Sequence, residues 1–143
     1  MATGWKRGVE SLLVVSGVAA ALARLQRPAA AVLAYHNIVP SGEPLAGDVS
    51  LHVNQRVFGE QLDYLAERCD VVPLDQLTSS AAGPNGRTRV AITFDDAYLG
   101  TMTAGLEELK RRGLPATVFV PPGALGGEGF WWDRLAPPGG GPL

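Results

Sequence analysis

The sequence predicts an α/β fold built on parallel strands, and two observations lead to this prediction. Short apolar runs with strand character alternate along the chain with longer segments in which apolar residues recur at helical spacing. Such alternation is typical of βαβ units, whose strands run parallel. In sheets of this kind, ligands and catalytic groups gather at the carboxyl ends of the strands. The polar residues that follow each strand are therefore the candidate functional residues.

The elements follow in order from these patterns. Strands are predicted over residues 30–36, 70–73, 89–94 and 115–120. Asn54 is expected to cap a helix that reaches about residue 68 and has one apolar face, formed by Phe58, Leu62 and Leu65. A second helix is predicted over 98–112, ended by Gly113, and a short third one over 130–135. The second helix has an apolar face and a charged, solvated one: Leu99, Met102, Leu106 and Leu109 on the first, and Glu107, Glu108, Lys110, Arg111 and Arg112 on the second.

Composition limits the class of protein. The 143 residues suffice for one domain, and with 46% hydrophobic and 18% charged residues the chain is not of the disordered class. Twelve basic and fourteen acidic side chains give a net charge of -2, so no basic surface for nucleic acid is expected. A single cysteine, Cys69, excludes an internal disulfide.

Residues 1–29 form a separate N-terminal segment, in which an apolar run over 12–23 follows Lys6 and Arg7. The run is shorter than the roughly 20 apolar residues that span a bilayer. It resembles the apolar part of a signal peptide, while its polar interruptions and the following Pro28 also fit an amphipathic or buried helix. Both the cytoplasm and the cell envelope stay open as locations.

Asp95 and Asp96 are the leading candidates for chemistry, because two adjacent carboxylates follow the buried strand over 89–94. Neighbouring side chains on a strand point to opposite faces, so the two acids can take different tasks. A carboxylate that binds a metal beside one that accepts a proton is the basis of metal-assisted hydrolysis. The structural alternative is that Asp96 caps the next helix and Asp95 forms a turn.

Residues 93–98, Thr-Phe-Asp-Asp-Ala-Tyr, resemble the first motif of the polysaccharide deacetylases, the NodB-homology or carbohydrate esterase family 4 enzymes. Val-Leu-Ala-Tyr-His at 32–36 is similar to the first strand of that family, and Leu-Pro-Ala-Thr-Val-Phe-Val at 114–120 to the strand after the motif. Trp-Trp-Asp at 131–133 is similar to a later element. The resemblance covers about residues 32–135, in the family's order.

The resemblance implies that Asp95 is the general base that activates water and that Asp96 binds a divalent metal, with zinc expected. It implies a distorted (β/α) barrel that removes N- or O-acetyl groups from an acetylated polysaccharide such as chitin or from a peptidoglycan-type glycan. A complete barrel takes about 250 residues, so this chain predicts a partial barrel, truncated before it closes. Residues 30–136 would be the N-terminal half of the domain, and 137–143 a Pro/Gly-rich tail.

The histidines depart from the family pattern. The family's second motif supplies two metal-binding histidines downstream of the aspartates, whereas His36 and His52, the two histidines of this chain, lie upstream. The ligand set is therefore expected to be incomplete, which leaves a non-catalytic fragment or pseudoenzyme that binds glycan or a partner chain as the main alternative. A receiver-like or dehalogenase-like phosphotransfer domain is disfavoured, because neither has a place for the Tyr-His strand or the Trp-Trp-Asp element.

The remaining candidates lie around the same strand ends. His36 ends the first strand and is expected to open towards Asp95, either as a substrate or site contact or as a structural histidine. His52 is expected in a solvated loop. Half a barrel also leaves a sheet edge without a partner, which predicts self-association through that edge. Substrate contact, with core packing as the alternative for the tryptophans, is considered for three aromatic residues: Tyr98, Trp131 and Trp132.

Overall fold

The computed structural model describes residues 30–45, 47–77, 83–124 and 130. The predictions for residues 1–29 and for the tail over 137–143 lie outside the described residues, as does the predicted helix over 130–135 except for its first residue. None of the helices in the described part has the length and apolar character needed to span a bilayer.

Within these ranges the chain forms six strands and two helices. In chain order they are β1 (Ala30–Tyr35), β2 (Asn37–Val39), β3 (His52–Asn54), α1 (Gln55–Arg68), β4 (Asp70–Val71), β5 (Arg89–Phe94), α2 (Leu106–Arg112) and β6 (Thr117–Val118). A π-helical turn, Thr101–Gly105, leads directly into α2. Short 3₁₀ turns lie at Val49–Leu51, Leu74–Gln76, Pro84–Gly86 and Pro122–Ala124.

The central strand of a four-stranded parallel sheet is β5. One of its edges pairs with β1 over the whole length, from Ala30 opposite Arg89 to Tyr35 opposite Phe94. Because β1 occupies that edge, β4 and β6 share the other, where β4 pairs with the beginning of β5 and β6 with its end. The predicted α/β class is confirmed, and so is the parallel pairing of β1 and β6 with β5. The last strand, Thr117–Val118, is shorter than the predicted 115–120 at both ends, although one further hydrogen bond, from the Phe119 N–H to the Phe94 carbonyl, follows it.

A second, two-stranded parallel ladder joins β2 to β3 and places Asn37 opposite His52. It follows β1 after a single residue, His36, so the two ladders meet at the carboxyl end of β1. The sequence does not predict β2 or β3, since three-residue strands are too short to show a period of two.

Helix α1 forms where the sequence predicts it. The Asn54 side chain accepts a hydrogen bond from the Arg56 backbone N–H at 2.9 Å, which satisfies one of the free donors of the first turn. The three residues of the predicted apolar face are buried, and they pack on the same side of the sheet as three alternate residues of β5: Val90, Ile92 and Phe94. The main core therefore lies between α1 and the central strand.

The buried face of the second helix differs from the predicted one. Leu99 is 79% exposed, Met102 and Leu106 are exposed as well, and of the predicted face Leu109 alone is buried. The residues that pack inwards are Thr101, Ala104, Gly105, Glu108 and Leu109. The π-helical turn explains the change, because it closes an i→i+5 hydrogen bond from Leu106 N–H to the Thr101 carbonyl and shifts the phase of the helix. As predicted, Gly113 ends α2, with a φ of 64°.

Glu108 and Arg112 are not part of a solvated face, contrary to prediction. Glu108 is 5% exposed and accepts hydrogen bonds from Arg112 and from Gln55 Nε2, the latter at 3.0 Å. Arg112 also binds both carboxylate oxygens of Asp63 on α1, at 2.6 and 2.9 Å. The Glu108 and Arg112 charges can leave water because each is paired and hydrogen-bonded, while the Asp63 side chain stays exposed. We call these four side chains the interhelical clamp, since they join α1 to α2.

Candidate active site

Asp95 lies directly after β5, at the carboxyl end of the sheet. Its backbone N–H donates to the Tyr35 carbonyl at 2.8 Å, and the Phe94 carbonyl accepts from the Phe119 N–H at 2.8 Å. The ladders on both sides of β5 therefore continue to its last residue, and the position of Asp95 is defined by backbone hydrogen bonds. The structure thus places the predicted acid pair where catalytic groups of parallel sheets gather.

The backbone turns sharply immediately after Asp95. Asp96 and Ala97 have φ values of 67° and 49°, in the left-handed region that residues other than glycine rarely adopt. Such conformations are concentrated at functional sites, where the surrounding structure enforces them. The turn leads the chain from the end of β5 into the helical segment and leaves both carboxylates half-buried at the sheet edge.

His36 lies beside Asp95, as predicted from its position at the end of the first strand. The register that pairs Tyr35 with Phe94 brings the next residues of both strands together. The distance from His36 Nε2 to Asp95 Oδ2 is 4.0 Å, and the two side chains are 34% and 42% exposed. The pair is therefore accessible to a ligand, and it forms an ion pair when the imidazole is protonated.

His52 is not in a solvated loop, contrary to prediction. It lies in β3, is half-buried, and its ring meets that of Tyr98 edge-on, with centroids 6.0 Å apart. The Tyr98 ring also lies 5.1 Å from that of Phe130. Tyr98, two residues after the acid pair, therefore contacts both the His52 ring and the Phe130 ring. The sequence gives no signal for His52, because it comes near the site only through the pairing of β2 with β3.

Trp131 and Trp132, the remaining candidates for substrate contact, lie outside the described residues. Tyr98 follows the acid pair by two residues and is half-buried. The structure brings together Asp95, Asp96, His36 and Tyr98 at one end of the sheet, since β1 and β5 end at the same level.

The described residues alone do not fit a zinc site. In the part of the chain with assigned positions, no group of three or more His, Cys, Asp or Glu side chains is close enough to hold a metal ion. Zinc sites take three or four protein ligands. Asp96, the predicted ligand, would need further ligands from elsewhere.

Solved structures with a similar fold were found. IcaB from Ammonifex degensii shares 29% identity with a TM-score of 0.58, covering 73% of this chain and 43% of IcaB. The Streptococcus pyogenes deacetylase PplD, solved in complex with acetate, shares 25% identity with a TM-score of 0.53, covering 68% of this chain and 45% of PplD. BA0330 from Bacillus anthracis, assigned as a polysaccharide deacetylase, shares 21% identity with a TM-score of 0.49, covering 64% of this chain and 29% of BA0330.

The similarity to IcaB and PplD confirms, at the level of the fold and over part of the chain, the likeness to polysaccharide deacetylases that the motifs predict. The chain spans less than half the length of each of these structures. No protein-family model matches the sequence, and no curated protein does.

Proposed function

We propose that this chain contributes the acid-pair half of a hydrolase that removes N- or O-acetyl groups from a carbohydrate polymer. One observation carries the proposal: Asp95 and Asp96 follow the central strand of a deacetylase-like sheet, with His36 4.0 Å from Asp95. An acetylated polysaccharide of the chitin type or a peptidoglycan-type glycan is the substrate class. Acetate, which PplD binds, would be the product.

Asp95 is the general base of the proposed reaction. Its carboxylate is accessible and its backbone is fixed by the ladder to Tyr35, so it can take a proton from a water molecule that attacks the acetyl carbonyl. His36 faces the same carboxylate and would keep it oriented while the proton is held.

The proposal includes a divalent metal, zinc, with Asp96 as the ligand that this chain offers. A carboxylate is a suitable ligand, but the described residues hold no complete set, so the remaining ligands must come from outside them. Tyr98 follows the acid pair by two residues and contacts the rings of His52 and Phe130. We propose these three rings, together with Trp131 and Trp132, for sugar contact.

A second candidate function is glycan binding without catalysis. It is favoured by the same observation that weakens the metal site, the lack of a three-residue ligand group among the residues with assigned positions. The two functions differ in one measurable respect. The binding module holds acetylated oligosaccharide with no release of acetate, whereas the hydrolase releases acetate only with metal.

Acetate release distinguishes the two functions. We expect little release from acetylated chito-oligosaccharide or peptidoglycan by the 143-residue chain, with or without zinc, and metal-dependent release by the chain fused to the part of IcaB that it does not match. In that fusion, Asp95→Asn should lower the rate by about 10²–10⁴, and Asp96→Asn should weaken zinc binding and abolish activity. Asp75→Asn, an exposed carboxylate of the Leu74–Gln76 turn, is the matched control and should leave the rate unchanged.

Each result has a clear reading. A folded fusion that binds zinc but releases no acetate would overturn the proposed hydrolase. Binding of the oligosaccharide by the 143-residue chain, measured by calorimetry, would then support the second function. Release by the short chain alone would show that its own residues complete the metal site, with His36 as the first ligand to test.

A further inference from the structure

Thr101 is a polar residue whose side chain is completely buried. Its hydroxyl donates a hydrogen bond to the His36 carbonyl at 2.7 Å, across 65 residues of sequence. A buried hydroxyl costs free energy unless it is bonded, so this contact fixes the position of the π-helical turn relative to the end of β1.

His36 is the single residue between β1 and β2, and its carbonyl accepts the hydrogen bond from the Thr101 hydroxyl. The preceding carbonyl, that of Tyr35, accepts the Asp95 N–H at 2.8 Å. Two successive carbonyls at the end of β1 are therefore held by Asp95 and by Thr101. The two hydrogen bonds together set the backbone of both members of the His36–Asp95 pair.

Gly100, the residue before the π-helical turn, allows the turn to approach this backbone closely. A Cβ atom at Gly100 would lie 2.2 Å from the Ile38 carbonyl oxygen, so the position has no room for a side chain. Glycine at this position therefore lets the π-helical turn contact the segment that follows His36. Isolated π turns inside α-helices occur frequently at functional sites.

We propose that Thr101 is a positioning residue, whose hydroxyl holds the His36 backbone so that the imidazole faces Asp95. This inference deepens the proposed function and rests on it for its catalytic meaning. The geometry it describes is independent of activity. Loss of the hydroxyl leaves the His36 carbonyl without its buried partner, and the loop between β1 and β2 can then move away from the acid pair.

Isosteric variants test the proposal on the 143-residue chain. Thr101→Val removes the hydroxyl and keeps the shape, whereas Thr101→Ser keeps the hydroxyl. Thr103→Val is the matched control, because the exposed Thr103 hydroxyl donates to the Leu99 carbonyl at 2.8 Å within the same helical segment. Two quantities are measured by NMR: the carbon–proton signal of the His36 imidazole, and the through-space contacts of the imidazole protons with Asp95. The signal is assigned to His36 by comparison with the His52→Gln variant, since the chain has two histidines.

We expect Thr101→Val to shift the His36 signal and remove its contacts with Asp95, and Thr101→Ser and Thr103→Val to leave both as in the unaltered protein. In an active fusion, Thr101→Val should lower kcat by about tenfold or more with a smaller change in KM, and Thr101→Ser should restore kcat. Inactivity of a folded fusion that binds zinc would refute the proposed hydrolase and leave the NMR result as the test of positioning.

A folded Thr101→Val protein with an unchanged His36 signal would overturn the inference. If Thr101→Val does not fold, the proposal is tested on the unaltered protein by the rate at which the threonine hydroxyl protons exchange with water. We expect the Thr101 hydroxyl proton to exchange much more slowly than that of Thr103. Equal exchange rates would also overturn the proposal.

Discussion

Ala97 has a backbone conformation that disfavours its own side chain. Its φ of 49° lies in the left-handed region, which costs an L-residue roughly 1–2 kcal/mol and costs glycine nothing. Ala97→Gly should therefore raise the free energy of unfolding by about 0.5–1 kcal/mol, after the greater freedom of glycine in the unfolded chain is counted. Urea denaturation at equilibrium measures this difference.

The control is the same substitution at a residue with ordinary helical geometry. Ala66 lies on the exposed side of α1, where glycine should lower the free energy of unfolding by about 1 kcal/mol. Opposite signs at the two positions are expected. A loss of stability at both would mean that the turn after Asp95 does not require the left-handed conformation.

At the residue scale, the site was partly predictable. Asp95 and His36 could be placed because each follows an apolar strand, and parallel strands end at one edge. His52 could not, because its approach to Tyr98 depends on a three-residue strand. Thr101 could not either, since its hydrogen bond to His36 joins positions 65 residues apart, and no local pattern records such a contact.

The interhelical clamp makes stability depend on pH. Burial acts to raise the pKa of Glu108, but the hydrogen bonds from Arg112 and Gln55 and the charge of Arg111 outweigh it and lower the pKa below the ordinary value. A hydrogen bond from Arg112 likewise lowers the pKa of Asp63. The same contacts raise the pKa of Arg112, so it stays charged.

The direction of the pH dependence follows from these shifts. Because the folded-state pKa of Glu108 is lowered, the unfolded chain binds more protons at acidic pH. The stabilisation is complete above the unfolded-state value of about 4.3 and is lost as the pH falls through the folded-state pKa. We expect the free energy of unfolding to decrease as the pH falls over that interval. Glu108→Gln should make this dependence of the free energy of unfolding on pH less steep.

Glu107→Gln is the control for this prediction. Glu107 lies next to Glu108 on α2, but it is exposed and pairs on the surface with Arg111 at 3.0 Å. Exposed pairs contribute about 0–1 kcal/mol, so its substitution should leave the slope close to that of the unaltered protein. Denaturation in urea at a series of pH values gives the slopes. Equal slopes for Glu108→Gln and the unaltered protein would show that Glu108 is not the source of the pH dependence.

At the element scale, the predictions succeeded where local signals agreed. Asn54 as a cap and the apolar spacing of α1 both indicated the same helix, and the buried run of β5 had one interpretation. The buried face of the second helix was predicted wrongly. A π-helical turn changes the phase of the helix, and small residues, rather than the large apolar ones, pack against Ile38. Sequence periodicity cannot show such a turn, since it assumes a constant 3.6 residues per turn.

At the scale of the whole molecule, β1 has one edge without a strand partner among the described residues, since it pairs only with β5 there. A groove of about 700 Å³ runs between this edge and α1, lined largely by apolar atoms of Val32, Leu33, Val57 and Tyr64. Whether the sheet belongs to a partial barrel stays a prediction. The unpartnered edge is the feature that this prediction requires.

Self-association through β1 is the consequence we expect for the isolated chain. The strand Ala-Ala-Val-Leu-Ala-Tyr has no charge and no proline, the two features that commonly protect an edge from pairing with another copy. Val32 is 50% exposed on this edge. Val32→Lys would place a charge where a second strand would pair, and should therefore convert oligomers to monomers. Sedimentation velocity over a range of protein concentrations measures this change.

Leu45→Lys provides the comparison, because Leu45 is also an exposed apolar residue and does not line the groove. It adds the same charge and removes a similar apolar side chain, so a general gain in solubility would appear in both variants. A contact specific to β1 would respond to Val32→Lys alone. An unaltered chain that stays monomeric at all concentrations, with a single cooperative unfolding transition, would show that the edge of β1 is stable without a partner.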